Sequence, residues 1–136
     1  MTERKIDLEY KNPSGAFKID FSLEGDIVLS VASGNMKTED ADAVIQIYRN
    51  YCEKFGKPFL HVMDITSFEN AETESRQKMS AHVLGANSPL ACLALCGGGF
   101  AIRMLFNLYG KISKIPMKMF TTREEALAWA KERGSR

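Results

Sequence analysis

No hydrophobic run in this 136-residue chain approaches the roughly 20 residues that cross a bilayer, and its polar start MTERKIDLEY lacks the apolar core of a secretion signal. No transmembrane segment is expected, and the cytoplasm is the natural compartment. Net charge is also scarce. Eighteen basic and seventeen acidic residues leave +1, so no global field draws the protein onto nucleic acid or acidic lipid. Internal repeats, linkers and low-complexity stretches are missing, which leaves residues 1–136 as one domain of ordinary size.

Cysteine and histidine are few. Cys92 and Cys96 sit four apart in a predicted strand, where their α-carbons would be about 13 Å apart at roughly 3.3 Å per residue. A disulfide needs α-carbons within about 7 Å, so these two cannot bridge. With Cys52 they read as free buried thiols rather than metal ligands or nucleophiles. His61 and Asp64 are three apart in a strand and face opposite sides, and His82 has no second ligand at a converging spacing. No metal site, cofactor or enzyme is expected.

What is present is a clear alternation of elements. Phe17, Ile19, Phe21 and Leu23 alternate with Lys18, Asp20 and Ser22, the period-2 pattern of a half-buried strand. Gly25-Asp26 then makes a two-residue turn of type II′ into a second strand, Ile27 to Ala32, closed by Gly34. Residues 1–15 form either an extra edge strand, through Ile6, Leu8 and Tyr10, or a loose tail. Thr38 caps a helix with Ala41, Val44, Ile45, Tyr48, Cys52 and Phe55 on its inner face and Gly56 as its stop. PFLHVMDI and LACLALC read as strands buried on both faces. They flank a helix over 71–87 whose inner face is Met79, Val83 and Leu84. A third helix, the short strand MKMF and a last helix follow. The last opens on a capping box, Thr122 with Glu125, and turns Ala126, Leu127 and Ala130 inward. The order ββαβαβαβα predicts an α/β fold, helices packed against a mixed sheet of about five strands.

Three stretches in this order, LEGDIVLSVASGNMKTEDAD, LHVMDITSFENAETESR and MKMFTTREEALAWA, give the chain its family likeness. It resembles the STAS-like proteins, specifically the SpoIIAA-like group related to anti-anti-sigma factors and linked to CRAL-TRIO lipid-binding domains. The resemblance implies a small cytoplasmic regulatory or ligand-sensing domain. Switches of that kind phosphorylate a serine in an Asp-Ser-Ser-Gly motif at the start of the second helix. Asp64 matches the aspartate, but Ile65 stands where the acceptor should be, and the nearest hydroxyls are Thr66, Ser67 and Thr73. A phosphate at any of these near a helix N-terminus would meet free amides and alter partner docking. Their ordinary alternatives are turn and cap roles.

Two places remain as candidate sites. Asp64, Cys96 and Gly97-Gly98-Gly99 fall at strand C-termini, where open α/β sheets bind ligands. The glycines lack the Lys-Ser/Thr of a P-loop and the Gly-x-Gly-x-x-Gly spacing, and so read first as a tight strand-to-helix turn. The third helix is the other. Ala101, Leu105, Leu108 and Ile112 are expected to dock it on the sheet. Ile102, Phe106 and Tyr109 add a second apolar row, with Arg103, Asn107 and Lys114 opposite, widening the apolar arc to about 200° at 100° per residue. Either a neighbouring helix covers this second row, or it is a homodimer seam, a protein-partner surface or the wall of a lipophilic pocket. The leading expectation is a non-catalytic regulatory or adaptor domain that binds a protein partner or itself; the alternative is a carrier or sensor of a small lipophilic ligand.

Overall fold

A computed structural model of the protein describes residues 5–135. Ten elements follow one another: β1 (Leu8–Lys11), β2 (Phe17–Glu24), β3 (Ile27–Met36), α1 (Thr38–Phe55), β4 (Phe59–Ala71), α2 (Thr73–Val83), β5 (Leu90–Cys96), α3 (Phe100–Ile112), β6 (Met117–Phe120) and α4 (Arg123–Gly134). The strands lie in sequence order in one sheet. β1, β2 and β3 pair antiparallel, and β3 to β6 pair parallel. The mixed sheet thus has six strands rather than five, because the N-terminal edge strand forms. What secures it is Asp40, fully buried on α1, whose carboxylate accepts from the Tyr10 hydroxyl at 2.6 Å, the Asn12 amide at 2.8 Å and the Lys37 backbone N–H at 2.7 Å. Burial, and then the Asp40 carboxylate, push the Tyr10 hydroxyl up to about 12.

Three crossovers step the chain across the sheet in one direction, so right-handed connections put α1, α2 and α3 on the same face. Their core runs from Phe17, Ile19 and Phe21 through Val44 and Tyr48 to Leu93, Leu95 and Ile102. α4 covers the other face, with Ala126 and Ala130 against Leu29, Val62 and Ala94. The smallness of those two alanines lets the helix lie close to the strands.

Several boundaries differ from the sequence reading. Gly34 does not close β3. It sits within the strand at φ +86°, where a side chain would collide with the Ala16 carbonyl oxygen, and the pairing with β4 shifts just beyond it. Thr38 does not cap α1; Lys37 holds the cap position and Asp40 binds its amide. α2 is confined to Thr73–Val83, shorter than 71–87, because β4 continues through Ala71 in register with Met36. Ser22, read as facing water, is buried, whereas Leu23 is only half-buried.

Candidate functional site

At the strand ends, chain segments approach very closely. Gly97 and Gly98 have φ of +79° and +88°, a region that side chains rarely occupy. A β-carbon on Gly97 would collide with the Thr66 hydroxyl, and one on Gly98 would come within 3.0 Å of Ile65. Gly99 is the N-cap of α3 and has open space around it. The glycine run is therefore a tight turn that lets β5 pass into α3 directly over β4.

Asp64 pairs in register with Cys96 and lies within β4, not at its end. Its carboxylate accepts from the Thr66 N–H at 2.9 Å and from the Arg123 guanidinium at 2.8 Å. Burial pushes this carboxyl up, but the Thr66 hydrogen bonds and the Arg123 charge outweigh burial and hold it below the usual carboxylate range. Arg123 was not anticipated from sequence, since an arginine in a helix's first turn gives no sign of a strand partner so far away. Thr66 and Ser67 are exposed on β4, which runs on to Ala71. Thr73 opens α2 and accepts from Arg76 at 3.1 Å. Glu72, also missed, holds the N-cap position of that helix, and its side chain ties it to α1 by accepting from the Thr38 N–H at 2.9 Å.

The thiols there are poorly suited to attack. Burial pushes Cys92 and Cys96 up, and the Asp64 charge pushes Cys96 further. His61 is fully buried, and its Nε2 shares a 2.8 Å hydrogen bond with Ser30. Among the described residues no three His, Cys, Asp or Glu side chains converge to hold a metal.

α3 carries the largest correction. Its expected rows are exchanged: Ile102 is 8% exposed, and Phe106 and Tyr109 pack against the main core, with Phe106 6.2 Å from the Phe68 ring. Of the row expected to dock, only Leu105 is half-buried. Ala101, Leu108 and Ile112 face solvent, and with Phe100 and Met104 they make a ridge in which Phe100 is 81%, Met104 53%, Leu108 61% and Ile112 63% exposed. Helical periodicity gives two apolar rows without saying which one faces the sheet. The glycine turn and Arg103 settle the rotation. Arg103 donates to the Gly97 carbonyl at 3.0 Å and the Phe120 carbonyl at 3.1 Å, so it clasps the ends of β5 and β6.

Beneath α3 and α2 lies an apolar cavity of about 80 Å³. Met36, Met63, Met79 and Met117 line it together with Phe106 and Tyr109, and Arg76 and Ser80 also border it. No helix of the described residues is long and apolar enough to cross a membrane.

The fold has solved counterparts. An uncharacterised protein of the DUF3478 family from Shewanella loihica PV-4, described as SpoIIAA-like in fold, aligns at a TM-score of 0.64 with 16% identity over 85% of this chain and 93% of that one. The anti-sigma factor antagonist SpoIIAA in its unphosphorylated form aligns at 0.60 with 13% identity, covering 83% and 97%. An anti-sigma factor antagonist from Mycobacterium paratuberculosis aligns at 0.61 with 18% identity, covering 90% and 99%. At these identities the likeness is one of fold: the protein has the SpoIIAA-like fold. The CRAL-TRIO part of the resemblance finds no support in these structures. No curated protein matches the sequence. A family model does match it over residues 21–133, and the chain belongs to that family, a domain of unknown function (DUF7793).

Proposed function

We propose that this protein is a non-catalytic regulatory domain that binds another protein through the exposed ridge of α3. The observation that carries the reading is the ridge itself: four large apolar side chains, each more than half exposed, in a helix whose opposite row already fills the core. Leaving such a patch in water is costly unless something covers it. Two structures of the same fold are anti-sigma factor antagonists by name, which supports regulation by protein contact. The three free cysteines fit a reducing compartment, so we place this activity in the cytoplasm. The exposed hydroxyls of Thr66, Ser67 and Thr73 lie on β4 and the start of α2, where a modification would change charge without disturbing the core.

The test is affinity capture from the host cell with wild type and Leu108→Asp side by side. A protein retained by wild type and lost from the folded variant supports the reading. Identical captures from both would sink it.

A second reading rests on the cavity. Methionine side chains adapt their shape, so a lining of four could open for a small lipophilic ligand. Its volume is well below the roughly 300 Å³ at which ordinary ligand pockets begin, which limits the ligand to about the size of a single ring. Native mass spectrometry of protein purified from its own host would find such a ligand bound; a bare mass in every preparation counts against it.

A further inference from the structure

We infer, resting on the docking reading above, that the segment covering α3 is an acidic amphipathic helix of a different protein. Charge is the argument. From Ser75 to Arg123 the chain contains no Asp or Glu, although it holds seventeen elsewhere, so the near-zero net charge hides a one-signed region. α3 and β6 lie inside it. Lys111 and Lys114 are exposed beside the ridge and make no ion pair among the described residues. The open groove between α3 and β6, which Lys111 borders, is lined further by Arg103 and Lys118 and by no carboxylate. Anything that settles on the ridge meets unpaired positive charge on its polar edges.

The shape of the ridge selects a helix. Phe100, Met104, Leu108 and Ile112 follow one another at four-residue spacing, the row that interdigitates with the matching groove of a second helix. A second copy of this chain fits the shape but not the charge. A two-fold axis would lay α3 on α3, and the second copy's α3 has no carboxylate to offer the lysines. An anionic membrane fits the sign of the charge, but surface segments that bind it cluster about four to eight free cations; here Arg103 is engaged by the Gly97 and Phe120 carbonyls and Lys118 lies over the Phe120 ring, which leaves Lys111 and Lys114. A partner helix with apolar residues on one face and carboxylates along its edges satisfies both shape and charge.

The probe is a display library of amphipathic peptides of about 16 residues, apolar at i, i+3, i+4 and i+7, with Glu and Lys equally frequent at the polar positions. Selection on wild type, with counter-selection on Leu108→Asp, should enrich Glu over Lys several-fold. The selected peptides should bind a Lys111→Glu/Lys114→Glu variant about tenfold more weakly, with the difference shrinking in high salt. Ridge-dependent binders with no charge bias would overturn the acidic partner and leave the docking reading standing. No ridge-dependent binders at all would overturn both. Binding to vesicles of phosphatidylcholine and phosphatidylserine that Leu108→Asp abolishes would assign the ridge to a membrane instead. A dimer in sedimentation that the same substitution dissociates would assign it to a second copy.

Discussion

The Arg123 guanidinium meets the Asp64 carboxylate at 2.8 Å across 59 residues of sequence, joining β4 to the first turn of α4. The aspartate that gives the chain part of its family likeness is therefore engaged in holding α4 to the sheet. Its pKa is lowered in the folded protein, so its contribution to stability is complete above the unfolded value of about 3.9 and is lost as pH falls through the folded value. Asp64→Asn should cost about 1 kcal/mol at pH 7 in urea titrations. The gap between the two proteins should close in acid below the ordinary carboxylate range. Equal stability at pH 7 would mean that the ion pair contributes nothing.

His61 titrates in the opposite structural sense. Burial pushes it down to about 3, so between there and about 6.5 the unfolded chain takes up a proton that the native protein refuses. The native state is most stable above that window and loses up to about 1.4 kcal/mol per pH unit from this group as pH falls through it. His61→Gln should flatten the stability profile between pH 6.5 and 4 relative to wild type. Parallel profiles would show that the imidazole charges inside the fold.

The two rows of α3 should respond differently to charge. Phe106→Asp places a carboxylate beside Phe68 and the apolar cavity and should cost about 3–5 kcal/mol or prevent folding. Leu108→Asp, on the exposed ridge, should change stability by less than about 1 kcal/mol. Urea midpoints decide the matter, and a reversed order would put the ridge inside.

Thr122 and Glu125 make the capping box that their spacing predicts. The Glu125 N–H donates to the Thr122 hydroxyl and the Thr122 N–H to the Glu125 carboxylate, each at 3.2 Å. Thr122→Ala should lower stability by about 1 kcal/mol while leaving the circular-dichroism spectrum unchanged in shape. An unaffected midpoint would mean that the cap is redundant with the packing of Ala126 and Ala130.

This capping box is an example of what was legible without coordinates. A cap and its helix lie within four residues of one another, the alternation of Phe17, Ile19 and Phe21 lies within one strand, and the Gly25-Asp26 turn joins neighbours, so short-range chemistry specifies each of them. The order of elements, and with it the α/β layer class, followed from these local signals. The candidate site was legible only in part: the excess apolar surface of α3 was evident, but the row offered for a partner or ligand packs against the core, where Phe106 and Tyr109 line the cavity.

Contacts between distant segments decided the rest. The rotation of α3 depends on Arg103 reaching two strand ends and on the glycine turn passing over Thr66. The length of β4 depends on its pairing with β3, and the edge strand depends on Asp40 gathering donors from Tyr10 and Asn12. None of these has a periodicity of its own, because each arises only when segments far apart in sequence meet. By itself the sequence determined which segments are helix or strand and that α3 has apolar surface to spare; tertiary packing alone decided which side of α3 is left exposed.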